Sequence, residues 1–589
     1  VSKLKNNLLL FCRHNETILW LSLIVLLATF LRLKGLTFQS YWYDELFSAS
    51  LSNPARNFFE IIELSLADVH PPFFQLTMWG SYKVLGYTEF AGRFPSVLAG
   101  VLLILAIFLL GRELFGKRVG LYAAALAAPN YYLVYFSQDA RSYTFLCLFC
   151  CLSFFYFMRA LRHAGWLNVV LYIFFTVLLL YTHYFGFVLL AAQGATFLMY
   201  LSLGHVHDRK LLLRAAVAAS AVLAALLPLV PAIIRHSEIQ EFWITQPEIT
   251  VALNYFFAYF SLIWLGYLFA ALVVVALTFG MYRVSCGPNP AWIRFSAIAL
   301  LLWIVIGFLL PWLRGLVGQP VITNRNTIML IPSIVLLAAY GLNSVPSLLV
   351  QRLVGVVIIG LSVFYLFAGV DYYDRVTKAQ YREMARSLIE YSPVLPVYTL
   401  NVNDKKYNVY FEQMGSELNA ADASVLEEKL TAGTAEPLFW IADGHLLPFD
   451  TDLEERFDLV QVALYKHLNT AAELLVNPAH AKAIAMEPAM ISTADGNWHS
   501  TGAVAWQSDS DQLLIALNES ARTDPARQVQ VDLLDRAGRV LETYTASLGA
   551  MPSTLQFNPQ VPAGKKVRLL IRLPGGEPEP YVWLLSASH

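Results

Sequence analysis

Charge is what this sequence has least of. Asp, Glu, Lys and Arg make up 14% of its 589 residues, and the formal net charge is −1. A soluble domain carries roughly 25% charged residues, so most of this chain reads as lipid-embedded. The balanced charge gives no global pull toward nucleic acid. Cysteine is scarce too: Cys12, Cys147, Cys150, Cys151 and Cys286 are the only five. The polar C-terminal third has none, which excludes a disulfide framework there. The three close cysteines sit in "TFLCLFCCLSFF" with no His or carboxylate beside them. They read as small core residues of a membrane helix rather than a metal cluster. No Gly-rich phosphate loop after a strand appears in the membrane part, which weighs against a nucleotide-sugar donor, and no His-x-x-x-His spacing points to a metal site.

Apolar residues dominate instead, at 57% of the chain with a mean hydropathy of +0.53. About 20 apolar residues per helix cross a bilayer. Candidate spans fall at 17–34, 72–87, 94–111, 119–135, 143–160, 167–182, 185–203, 214–234, 256–281, 295–313, 327–342 and 353–370. The basic start "VSKLKNNLLLFCRHNET" lacks the short apolar core and small-residue cleavage site of a signal peptide, so it reads as an uncleaved anchor. A valine at position 1 fits a bacterial alternative start.

Lys and Arg in short loops set orientation. Lys3, Lys5 and Arg13 put the N-terminus in the cytoplasm. Arg112, Lys117 and Arg118 mark a cytoplasmic loop, as do Arg159, Arg162, Arg209, Lys210, Arg214 and Arg352. The stretches 136–143, 181–186, 235–248 and 313–327, and everything after about 372, then lie outside. One conflict remains: if 72–87 and 94–111 both cross, the loop 112–118 lands on the wrong side. The short 72–87 is the segment expected to cross incompletely.

Character changes near Asp371. "DYYDRVTKAQYREMARSLIEY" reads as a helix leaving the membrane. Short strands alternate with helices to about 475, the pattern of a small α/β domain. From about 487 the pattern is all strand, with "DRAG" as a hairpin turn, and reads as a β-sandwich. The expected organisation is 1–372 transmembrane, 373–480 α/β and 481–589 β-sandwich.

The ionisable residues of the membrane part collect at the outer boundary: Asp44, Glu45, Asp68, His70, Asp139, Arg141, His183 and Arg325. Polar groups at membrane depth are costly and mark functional sites. Carboxylates serve as a base or hold a metal. Arg grips phosphate bidentately, and His70 and His183 are further phosphate donors. The set suits chemistry on a charged lipid headgroup. A divalent ion on Asp44, Glu45 or Asp139 stays open at this point. Clustering on one side favours chemistry over passage, since a transporter or flippase of lipid-linked sugar needs polar residues along a whole path. A non-catalytic envelope scaffold is the other rival.

"YWYDELFSAS", "DVHPPFFQLTMWGSYKVLGYTEFAGRFPS" and "YFSQDARSY", in that order, resemble the polyprenol-dependent glycosyltransferases of the GT-C fold. Within them lies the branch that holds bacterial relatives of the protein O-mannosyltransferases and the lipid A aminoarabinose transferases. The motifs run over about residues 15–200, and "NRNTIMLIPSI" resembles the family's late Arg-containing segment. The resemblance implies an α-helical multi-pass enzyme in the bacterial cytoplasmic membrane. Such an enzyme moves a sugar from a polyprenyl-phosphate carrier to an acceptor hydroxyl of a glycan, lipid or protein, on the exoplasmic side and with inversion. Asp44 matches the family's proposed general base, and Glu45 would shape its loop. Asp139 matches a second acidic position near the acceptor or a metal. His70 stands where the aminoarabinose branch carries a phosphate-contacting Lys, a departure that leaves the sugar unnamed. Arg141, His183 and Arg325 complete the expected phosphate-binding set.

Overall fold

The computed structural model describes residues 16–476 apart from 69, 164, 238–243, 245–247, 249, 285–289, 392–394, 401–403, 437, 444–452, 458 and 468–469; beyond 476 it describes seven strands. The basic N-terminal residues, Cys12, Cys286, most of the 235–248 loop and the "DRAG" turn lie outside the described residues. The chain divides into two compact units, one of residues 1–38 and 51–375, the other of Gln39–Ser50 and Val376–His589.

The first unit is helical. Among the described residues, eight helices are long and apolar enough to cross a membrane. They are Glu16–Leu33, Glu89–Phe115, Tyr143–Arg162, Arg209–His236, Ile263–Gly280, Pro290–Val317, Asn326–Ser344 and Leu348–Gly369. Trp166–Thr182, Gly186–Ser202 and Val251–Phe260 are shorter apolar helices. Three expected spans change. The first, 72–87, the segment expected to cross incompletely, is a helix of only 13 residues, Phe73–Leu85. At 1.5 Å per residue it reaches ~20 Å, against about 30 Å of hydrocarbon. Pro71 and Pro72 delay its start, and Gly86 ends it at φ +87°. The second, 119–135, is two helices, Lys117–Ala127 and Tyr131–Ser137. The break falls at Pro129–Asn130, where Asn130 caps the second helix and ties to the Tyr259 carbonyl. The third, 256–281, is interrupted at Ser261, which has φ 60°.

Small residues set the close crossings, as is usual where lipid supplies no hydrophobic drive between helices. A Cβ on Gly341 would collide with the backbone carbonyl of Leu272, and one on Gly120 would meet the Phe108 carbonyl at 2.6 Å. Cys147, Cys150 and Cys151 are free and buried in Tyr143–Arg162, as packing residues. Glu113 gathers Arg159, Arg162 and His163 at 3.0–3.3 Å.

In the second unit, a five-stranded mixed sheet has the order β2-β1-β3-β5-β4. Its strands are β1 (Val397–Thr399), β2 (Ala420–Asp422), β3 (Leu438–Asp443), β4 (Val460–His467) and β5 (Thr470–Val476). β1 pairs in parallel with β2 and β3, joined through helices Asp404–Gln413 and Ala423–Thr431. β5 and β4 add antiparallel. Tyr398, Leu426, Phe439 and Leu475 are part of its core. The exit segment is not one helix: residues 371–380 form turns and extended chain, with Asp371 at φ 50°, and the helix is Tyr381–Tyr391. The strands beyond 476 form two antiparallel sheets. One has three strands, Leu555–Phe557, Gln512–Leu517 and Val582–Ala587. The other has four, Trp498–Ala505, Lys566–Arg572, Gln528–Leu534 and Val540–Ser547.

Candidate active site

The helix before "DVHPP" starts with a reciprocal cap. Asn57 Oδ1 accepts from Phe59 N and Glu60 N at 3.0 Å, while Glu60 Oε2 accepts from Asn57 N at 2.9 Å. It ends at Asp68, which is extended. A proline disfavours helical conformation at the residue before it, so His70 is left in the turn ahead of Phe73–Leu85. There His70 Nδ1 lies 2.8 Å from Asp68 Oδ2, and its Nε2 lies 3.1 Å from Arg141 Nη2. A guanidinium only donates. Nε2 is therefore the acceptor, and the proton sits on Nδ1 facing Asp68. The result is a carboxylate–imidazole–guanidinium chain that aims Arg141.

Arg141 is buried between the helices Tyr131–Ser137 and Tyr143–Arg162. Its loop is tied down on both sides. Gln138 Nε2 donates to the Arg32 and Lys34 carbonyls at 2.9 and 2.7 Å, Arg141 N to the Asp139 carbonyl at 2.8 Å, and Ser96 Oγ to the Arg141 carbonyl at 3.3 Å. The Asp139 side chain is fully buried.

His183 ends Trp166–Thr182. Its ring is 6.5 Å from that of His70 and 6.0 Å from that of Tyr143. Nδ1 accepts from Phe185 N at 3.1 Å, and Asn326 hydrogen-bonds the side chain. Burial first, then the charges of His70 and Arg141, push His183 down to about 3. It stays neutral through the physiological range. Folded His183 resists protonation while the unfolded side chain takes a proton near 6.5. Its contribution to stability is thus complete above pH 6.5 and is lost as pH falls toward 3. The thermal midpoint in detergent should fall over that window, and His183→Gln should remove part of the slope. Equal slopes for both proteins would contradict this.

Arg325 is half-buried at the start of the short helix Asn326–Leu330. Its neighbour Asn326, not singled out in the sequence, is the residue that reaches His183. Tyr184 and His236, with rings 5.8 Å apart, flank Asp68. Arg93 is a buried tie to the Leu36 carbonyl at 2.9 Å.

The acidic pair belongs to the second unit. It opens helix Tyr43–Leu51, where the helix N-terminus favours carboxylates. Glu45 is fully buried, paired with Lys378 Nζ at 2.9 Å, and accepts from Trp42 N at 3.3 Å. It closes the helix start and holds a cation. Asp44 is half-buried. So the structure joins His70, Arg141 and His183 in one cluster of the first unit, and places Asp44 and Glu45 in the second.

Among the described residues, no group of three or more His, Cys, Asp or Glu side chains is arranged to hold a metal ion. Of the carboxylates raised as metal ligands, Glu45 is committed to Lys378.

Comparison with known proteins adds the fold and a partial family match. Residues 69–234 match the family model described as dolichyl-phosphate-mannose-protein mannosyltransferase. No curated protein matches the chain. The crystal structure of ArnT from Cupriavidus metallidurans in the apo state is similar with a TM-score of 0.57 at 13% identity, covering 79% of this chain and 98% of that one. The same protein bound to undecaprenyl phosphate gives a TM-score of 0.54 at 15% identity, covering 78% and 98%. The chain is thus a multi-pass membrane protein of the GT-C glycosyltransferase fold, with residues 69–234 matching the mannosyltransferase family.

Proposed function

We infer that this chain is an inverting glycosyltransferase that moves a sugar from a polyprenyl-phosphate carrier to an acceptor hydroxyl. The observation that carries the reading is the Asp68–His70–Arg141 chain beside neutral His183, built largely from the family-matched segment. A buried Arg whose guanidinium is oriented by an imidazole is a phosphate grip. Arg325 is a second cation for the same charge, and Asp139 lies beside Arg141 in the loop.

The step balances simply. The acceptor oxygen attacks the anomeric carbon, and its proton passes to the Asp44 carboxylate. The bond from that carbon to the phosphate oxygen breaks, and polyprenyl phosphate leaves with the electron pair. Arg141 stabilises the charge that develops on it. Attack opposite the leaving group inverts the centre.

The proposed setting is the bacterial cytoplasmic membrane with the N-terminus inside and the C-terminal unit outside. The support is the placement of Lys and Arg, together with the shortness of Phe73–Leu85. With that helix not crossing, the loop 112–118 falls on the cytoplasmic side its charges require. The acceptor is a glycan, lipid or protein hydroxyl.

The test is transfer of labelled sugar by the full chain in detergent from a panel of synthetic polyprenyl-phosphate sugars. At least one member should yield glycosylated acceptor together with polyprenyl phosphate in equal amount. A panel that yields neither would overturn the reading.

A further inference from the structure

The acidic segment is gripped on both sides of Asp44 by residues far away in the chain. Gln39 Oε1 accepts from Thr377 N at 3.1 Å and Lys378 N at 3.2 Å. Ser40 Oγ accepts from Arg382 N at 3.0 Å and meets the Tyr410 hydroxyl at 3.0 Å. Tyr41 N donates to that same hydroxyl at 2.6 Å. Lys406 Nζ stands 3.1 Å from the centre of the Tyr43 ring. Lys378 Nζ holds Glu45.

Two features single out the lysines. Both are buried, Lys378 at 7% exposure and Lys406 at 3%. A buried ammonium is costly unless it is paired, so its presence needs a reason. Each contacts a residue adjacent to Asp44, one on either side. Two neighbouring carboxylates repel each other; an ammonium on one of them settles which is architecture. Glu45 is drawn to the inside of the unit, and Asp44 is left half-buried at the helix start.

We propose that Lys378 and Lys406 are positioning residues for Asp44. Lys378 holds Glu45 and Lys406 holds Tyr43, and the two contacts together set the rotation of helix Tyr43–Leu51 about its axis. The Tyr410 hydroxyl fixes the approach of the chain into it. This rests on the reading of Asp44 as the base. A displacement of about 1 Å at a reacting group costs about 100-fold in rate, and loss of either lysine leaves the helix free to turn by that much.

The experiment measures kcat, donor KM and melting midpoint for full-length Lys378→Met, Lys406→Met, Tyr410→Phe and Asp44→Asn beside the wild type. Lys378→Met should lower kcat about 100-fold with donor KM within about twofold, since the phosphate cluster belongs to the first unit. The charge-reversed pair Glu45→Lys with Lys378→Glu should regain at least about tenfold over Lys378→Met. A wild-type kcat in Lys378→Met and Lys406→Met, with Asp44→Asn inactive, overturns this inference and leaves the function standing. Full activity of Asp44→Asn removes Asp44 as the base, and this inference with it, and leaves the transferase reading to the donor-panel test. If Lys378→Met does not fold, Tyr410→Phe decides, because it removes one hydroxyl only. A kcat loss of about tenfold supports the inference, and an unchanged kcat overturns it.

Discussion

Asp44→Asn should lower sugar transfer by 10²- to 10⁴-fold, the usual contribution of a positioned general base, while leaving donor affinity unchanged. The amide keeps the size and one acceptor oxygen of the carboxylate but cannot take a proton. Asp44 opens helix Tyr43–Leu51 at its second residue, and the chain on either side of it is anchored. The substitution therefore removes proton acceptance and little else. Glu45→Gln is the useful contrast. Glu45 is fully buried against Lys378, so its loss should cost folding stability, by about 3 kcal/mol as for other broken buried pairs, in addition to rate. The comparison is made on initial rates with donor affinity measured separately. Equal loss of affinity and rate in Asp44→Asn would move Asp44 from base to donor binding.

The second large effect falls on Arg141. Arg141→Gln should weaken polyprenyl-phosphate binding about 100-fold, ~2.7 kcal/mol. That is the scale for removing a buried charged hydrogen-bonding partner. Arg141→Lys should recover little. An ammonium cannot offer one edge to phosphate while another donates to His70 Nε2. His70→Gln should show a smaller loss in the same direction, because His70 orients Arg141 through the bond from Arg141 Nη2 at 3.1 Å. Equilibrium binding of a short-chain polyprenyl phosphate reads both. Unchanged binding in Arg141→Gln would remove it from the phosphate site.

Much of this was legible in the residues. Spans with long apolar runs are helices near their expected limits, because hydropathy alone carries that signal. The misread spans are those where a local backbone event interrupts an apolar run. Asn130 and Ser261 carry no hydropathy penalty large enough to announce a break, yet one caps a helix and the other turns the chain. In the site, His70 and Arg141 were both expected as phosphate ligands, but the bond between them was not readable. They lie 71 residues apart, and only the packing of the helices around them brings them within 3.1 Å. Asp68 had a local signal, two residues before His70. Asn326 had none beyond its place beside Arg325.

The opening acidic motif gives the sharpest contrast. Asp44 and Glu45 stand out side by side in the sequence. Their support does not, because Lys378, Lys406 and Tyr410 are more than 300 residues away and sit in unremarkable polar sequence. "DKKYNVYFEQMG" carries the helix Asp404–Gln413. Nothing in its pattern says that one lysine is buried against an aromatic ring.

The most direct measurement places the full chain in sealed vesicles with a labelled polyprenyl-phosphate sugar and a soluble acceptor, and follows chemistry and bilayer crossing in the same sample. The glycosyltransferase account expects labelled acceptor and an equal amount of polyprenyl phosphate from wild type, and neither from Asp44→Asn. Movement of intact donor across the bilayer without any glycosylated acceptor, equal in both proteins, would contradict it and make the chain a carrier of lipid-linked sugar.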